Sequence, residues 1–86
     1  MKITREAVAH KLAGYLHHEI SLADLVDWAE SAMMEGEFEE THYDAVCNAV
    51  ARLGLADVRA FGLAWEDCER VLRELGWNAR VEIVAI

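Results

Sequence analysis

Proline is missing from all 86 residues, so no segment is locked by a ring. Glycine and capping side chains must supply every helix stop and turn. Cysteine is scarce: Cys47 and Cys68 stand alone, with no CxxC or Cys/His spacing. That rules out a disulfide framework and suits a reducing, cytoplasmic setting. No stretch approaches the roughly 20 apolar residues of a membrane span, and Met-Lys-Ile-Thr-Arg-Glu opens the chain without an apolar signal core. The expectation is a soluble protein with no membrane partner. The most telling shortage is of positive charge. From Leu12 to Ala51 there is neither Lys nor Arg, while nine carboxylates occur: Glu19, Asp24, Asp27, Glu30, Glu35, Glu37, Glu39, Glu40 and Asp44.

That segment carries a formal charge of −9, and the remaining residues, with seven acids and eight bases, carry +1. The net −8 of the chain is therefore the charge of one internal stretch. A one-signed field attracts basic partners and repels nucleic acid, which is excluded as a ligand on this ground. Hydrophobic residues make up 55% of the chain, enough for a packed globule despite the charge. Its length allows one domain over residues 1–86, burying roughly 60–65% of the unfolded surface.

Helical periodicity dominates the pattern. Thr4 is placed to cap a first helix carrying Val8, Leu12, Tyr15 and Leu16 at helical spacing. Ser21 and Asp24 have the spacing of a capping box for a second helix. Its predicted inner face is Leu22, Leu25, Val26, Ala29, Ala32 and Met33, with Asp24, Asp27, Glu30 and Met34 outside. Gly36 suits a left-handed stop. An acidic connector, Glu37–Glu40, surrounds Phe38. Thr41 is the expected cap of a third helix, with Tyr43, Val46, Cys47, Val50 and Leu53 facing in. Leu55 to Phe61 reads as a short helical turn ended by Gly62. A last helix runs from about Trp65 to Leu75, acidic early and basic late as the helix dipole favours, and closes at Gly76. Trp65 belongs to its inner stripe, Trp28 falls at the border of the apolar and acidic faces, and Trp77 follows the final stop.

The tail departs from this pattern. Arg80-Val-Glu-Ile-Val-Ala-Ile alternates with period two and is rich in β-branched residues, so residues 80–86 are predicted as a strand. A lone strand leaves its backbone unpaired, so it must join Met1–Ile3, a second copy of itself in a homodimer, or a partner chain.

Candidate chemistry is sparse. His10 and His17 share a helix face two turns apart, roughly 10 Å, too far for one metal ion, and His18 is offset from both. Glu35-Gly-Glu-Phe-Glu-Glu fails the ligand spacing of a calcium loop. Thr41-His42-Tyr43-Asp44 holds reactive residue types, but Thr41 and Asp44 suit a helix start. Cys47 and Cys68 lie on apolar stripes as buried thiols would. No P-loop, GxGxxG or GxSxG occurs. No catalytic residue, metal site or cofactor is expected, and the chain reads as a non-enzyme.

The run Leu12-Ala13-Gly14-Tyr15-Leu16, followed by Glu19-Ile20-Ser21-Leu22 and by Leu25, Trp28 and Ala29, resembles the opening of small acidic helical bacterial proteins of the colicin D immunity type. His18 stands where that pattern has a turn glycine. The resemblance spans the first third of the chain. It implies a helical bundle that masks the active site of a basic toxin nuclease. The expected architecture is a mainly α, compact bundle of about four helices with a short C-terminal strand. The expected function is an acidic interaction module for a basic protein, contacting it through Asp24, Asp27, Trp28, Glu30, Glu35, Glu37, Glu39 and Glu40. A self-associating structural protein, dimerising through Arg80–Ile86, is the alternative.

Overall fold

The computed structural model describes residues 1–80 and 82–85. Among them are four helices and two very short strands, in the order β1 (Lys2–Ile3), α1 (Arg5–Leu16), α2 (Leu22–Glu35), β2 (Glu37–Phe38), α3 (Tyr43–Gly54) and α4 (Trp65–Glu74). The mainly helical expectation holds.

The helix starts follow the capping residues. Thr4 Oγ1 accepts the Ala7 N–H at 3.1 Å, satisfying one of the free donors at the start of α1. At α2 the capping box closes in both directions: Asp24 N–H donates to Ser21 Oγ at 3.1 Å, and Ser21 N–H donates to Asp24 Oδ2 at 3.3 Å. At α4 the Ala64 N–H donates to Asp67 Oδ2 at 2.9 Å. Asp67 also pairs with Arg52 of α3 and with Arg70, so one carboxylate caps α4 and ties it to α3. The Ala64 bond, with the two guanidinium groups beside it, holds the Asp67 carboxyl below the usual range.

α1 ends on the residue whose position asked for glycine. His18 has φ +62°, the left-handed region that a side chain disfavours. Its N–H donates to the Tyr15 carbonyl and the Glu19 N–H to the Gly14 carbonyl, the paired closure of a Schellman stop. Gly76 closes α4 in the same way, with φ +91° and the Trp77 N–H on the Leu72 carbonyl. Arg5 seals this end: its Nη1 donates to the Leu75 carbonyl at 3.3 Å, and its guanidinium lies 5.4 Å from the Trp77 ring centroid.

All four helices and β1 feed one core. Ile3, Leu12, Leu25, Val46, Val50, Leu53, Cys68 and Val71 are among its buried members. Five of the residues expected to face inward lie further out, Leu22 and Cys47 among them, both half-buried. Tyr43 is exposed and meets Phe38 edge-on at 6.2 Å. Met33 is exposed, displaced to the α2 border because Ala29 and Ala32 already fill the buried positions of that helix. Trp65 is half-buried, forming one wall of a recess with Leu16 and Leu72.

The strand pairing corrects the sequence reading. Arg80 and residues 82–85 carry no strand, and Ile83 is 96% exposed; Val81 and Ile86 lie outside the described residues. The Met1–Ile3 segment pairs instead with the acidic connector, in parallel, with Lys2 opposite Glu37 and Ile3 opposite Phe38. Glu37 N–H donates to the Met1 carbonyl at 2.7 Å and Glu39 N–H to the Ile3 carbonyl at 3.0 Å. In this arrangement Ile3 lies fully in the core, which removes its apolar surface from water. Gly36 serves it through size, not handedness. Its φ is −78°, and an added Cβ would meet the Ala32 carbonyl oxygen and lie 2.6 Å from Ile3 Cγ1. Thr41 does not cap α3. The chain spends Glu40–Tyr43 on a turn out of the strand, and the helix opens after His42 with no side-chain cap.

Substituting His18→Gly should raise the unfolding free energy by about 0.5–1 kcal/mol. Relief of a left-handed strain of roughly 1–2 kcal/mol is partly offset by the greater chain entropy of glycine. Urea unfolding checks this, and His18→Val should lower the midpoint.

Candidate functional site: the acidic face of the second helix and connector

The capping box fixes the phase of α2 by fixing where it starts. With Leu25, Val26, Ala29 and Ala32 buried, the 3.6-residue period places Asp24, Asp27 and Glu30 in solvent. Glu35 ends the helix, and Glu37 and Glu40 lie exposed in the connector. Trp28 is half-buried against the core, at the border where the sequence puts it. The fold gathers Glu37, Glu39 and Glu40 around an open cleft of about 520 Å³, with Lys2, Thr4 and Thr41 on its other walls. Asp24 and Asp27, near the start of α2, do not line this cleft.

Glu39 has a different job from its neighbours. Its Oε1 accepts the Arg5 backbone N–H at 3.3 Å, so it helps satisfy the N-terminus of α1 and belongs to the scaffold. Asp24 is likewise engaged, its Oδ2 accepting the Ser21 N–H in the capping box of α2, whereas Asp27, Glu30, Glu35, Glu37 and Glu40 have no such internal use of charge among the described residues. The ion pairs among the described residues are Arg5–Glu6, Arg52–Asp67, Arg70–Asp67 and Arg73–Glu69, and none involves α2 or the connector.

Helix electrostatics sharpen the contrast. α3 and α4 carry acids in the first turn and arginine in the last, as the helix dipole favours. α2 has no base in its last turn and ends on Glu35, so a carboxylate sits where the unbonded carbonyls already concentrate negative potential. Stability alone would select lysine or arginine there. The arrangement offers hydrogen-bond acceptors and a net negative field, with Lys2 the one base among the described residues on the cleft wall, fit for holding cationic groups.

Most of the candidate reactive residues lie on the surface. His10, His17, His18, Thr41, His42 and Asp44 are exposed. The Tyr43 phenol is pushed up, chiefly by its hydrogen bond with the Cys47 thiol. Burial pushes the Cys68 thiol up to about 11, so it stays protonated at neutral pH and is a poor nucleophile. Among the described residues no three His, Cys, Asp or Glu side chains gather at metal-binding spacing. No helix among them is long and apolar enough to cross a membrane.

Sequence reasoning placed Met34 outside but missed the other exposed apolar residues near this surface. Met33 is 56% and Met34 83% exposed, and Leu55, Val58 and Phe61 are exposed on the turn after α3. The spacing of those last three, three residues apart on a helical turn, was the available signal. Comparison with known protein families, with curated proteins and with solved structures returns no match.

Glu35→Lys should stabilise the fold by about 1 kcal/mol, since it removes an unfavourable helix-end charge and adds a favourable one. Urea midpoints at low salt measure it. An unchanged or lowered midpoint would show that the charge of Glu35 is already compensated.

Proposed function

We propose that this protein is a non-enzymatic interaction module that presents its second helix and acidic connector to a basic protein. One observation carries the reading: six carboxylates, Asp24, Asp27, Glu30, Glu35, Glu37 and Glu40, are exposed and take no part in an internal ion pair among the described residues. Trp28 lies at their border and Glu39 at the edge of the scaffold, so the contact set is these six with Trp28 as its aromatic anchor. The sharpest form of the proposal is an inhibitor of the immunity or antitoxin type. A protein that displays several unpaired carboxylates can occupy a cleft built for phosphates, and its charge disfavours binding nucleic acid itself. The resemblance over Leu12–Ala29 agrees in kind with that form.

The test is capture from the native host's lysate with two baits, the natural chain and the double variant D27K/E30K, at low and moderate salt. A basic protein should be retained by the natural bait at low salt and released as salt rises. The double variant should lose at least tenfold, because close charge pairs across interfaces contribute about 1.5 kcal/mol or more. Equal retention of that protein by both baits overturns the proposal.

A second reading, self-association through the tail, is favoured by the exposure of Ile83 and Val84. Light scattering should then find a dimer that becomes a monomer when residues 80–86 are deleted. A monomeric full chain ends this reading.

A further inference from the structure

The proposed acidic face adjoins exposed apolar surface, in which Phe61 has an internal partner, the Arg52 guanidinium 5.9 Å from its ring centroid. Met33 and Met34 follow Glu30 by three and four positions on α2, so all three occupy neighbouring places on the helix surface. Asp27 lies two turns before Met34, roughly 10 Å along the axis, and Glu35 and Glu37 follow it. The pair of methionines thus interrupts a line of carboxylates. Met33 also marks the seam with α3: a Cβ added at Gly54 would lie 3.8 Å from its sulfur. Directly beyond Gly54, the turn presents Leu55, Val58 and Phe61 to solvent. None of these five apolar residues belongs to the core cluster or to the half-buried shell packed against it. Exposed apolar surface beside a charged border marks an interaction site more often than an isolated exposed side chain does.

We infer that the occupant of this surface is a cationic amphipathic helix, with Lys or Arg along one side and large apolar residues along the other. The inference rests on the proposed acidic module and names the chemistry of its partner. A uniformly basic surface would satisfy the carboxylates but would desolvate its own charges against Met33, Met34 and Phe61. An amphipathic helix meets both halves at once, and its three-to-four-residue spacing matches the spacing of acids and methionines on α2. Methionine suits such a seat because its unbranched, polarisable side chain adapts to differently shaped apolar partners. A second copy bound face to face would oppose one acidic line with another. An anionic membrane surface is repelled for the same reason.

Two fluorescein-labelled peptides of Leu and Lys test this. One places the leucines on a single helical face; the other has identical composition with the leucines scattered. Fluorescence anisotropy at low salt should show the amphipathic isomer binding at least tenfold more tightly. The exposed-site variant M33Q/M34Q should erase that preference, and D27K/E30K should weaken both peptides, with circular dichroism confirming that each variant keeps its helices. Equal binding of the two isomers, a preference unaffected by M33Q/M34Q, or no binding of either peptide overturns the inference. If D27K/E30K alone still reduces binding, the acidic module stands and only the amphipathic partner is lost. If neither isomer responds to D27K/E30K, the acidic module falls with it.

Discussion

The parallel contact between Lys2–Ile3 and Glu37–Phe38 is the constraint on which the arrangement of this molecule turns. It is short, with two residues on each side, yet it fixes three things. It seats Ile3 in the core between the helices, where a fully buried side chain of this size contributes roughly 1.5–3 kcal/mol. It demands glycine at position 36, because a larger residue would collide with Ile3 and with the end of α2. It also holds the connector extended along the chain start, which keeps Glu37 and Glu40 in solvent and brings Glu39 onto the N-terminus of α1. Without it, the acidic stretch would be a loop of undetermined course.

The same stretch shows stability and charge in conflict. α3 and α4 follow the ordinary electrostatic rules: Asp67 caps α4 while pairing with Arg52 and Arg70, and Arg73 pairs with Glu69 near the helix end, whereas α1 has no base in its last turn. On α2 those rules are broken at the C-terminal turn, where Glu35 stands against the dipole with no base nearby in the helix. Local rules are broken most often where function requires it.

Much of the architecture was legible in the sequence because capping and periodicity are local. Thr4, Ser21 with Asp24, and Gly76 each do what their spacing implied, and the exposed positions of Asp24, Asp27 and Glu30 follow from the period of α2. His18, placed where a turn glycine fits, does take the left-handed conformation. The tail failed for a physical reason. Alternating β-branched residues state a preference for extended backbone, but they do not choose a partner. The partner of the chain start was decided by burial of Ile3 beside Phe38, and the alternation Glu37-Phe38-Glu39 was too brief to stand out among charges. Tyr43 and Met33 were misplaced because a helical wheel assigns a face without saying where the neighbouring helix ends. The carboxylates of the candidate site and the outward Met34 could be read off the chain, whereas the exposure of Met33 could not, since it depends on how α2 crosses α3.

The register of the parallel contact has a kinetic side. Ile3 and Phe38 are 35 positions apart, and both α1 and α2 lie inside the loop that their pairing closes. During synthesis residues 2–3 are made well before their partners, so the strand pair cannot close until residues 37–38 have been made. The cost of closing such a loop grows only slowly with its length, and helices formed within it shorten the distance its ends must search. Local helix formation therefore precedes the contact that orders the acidic connector. The surface with the highest density of negative charge is accordingly among the last parts of the molecule to acquire its shape.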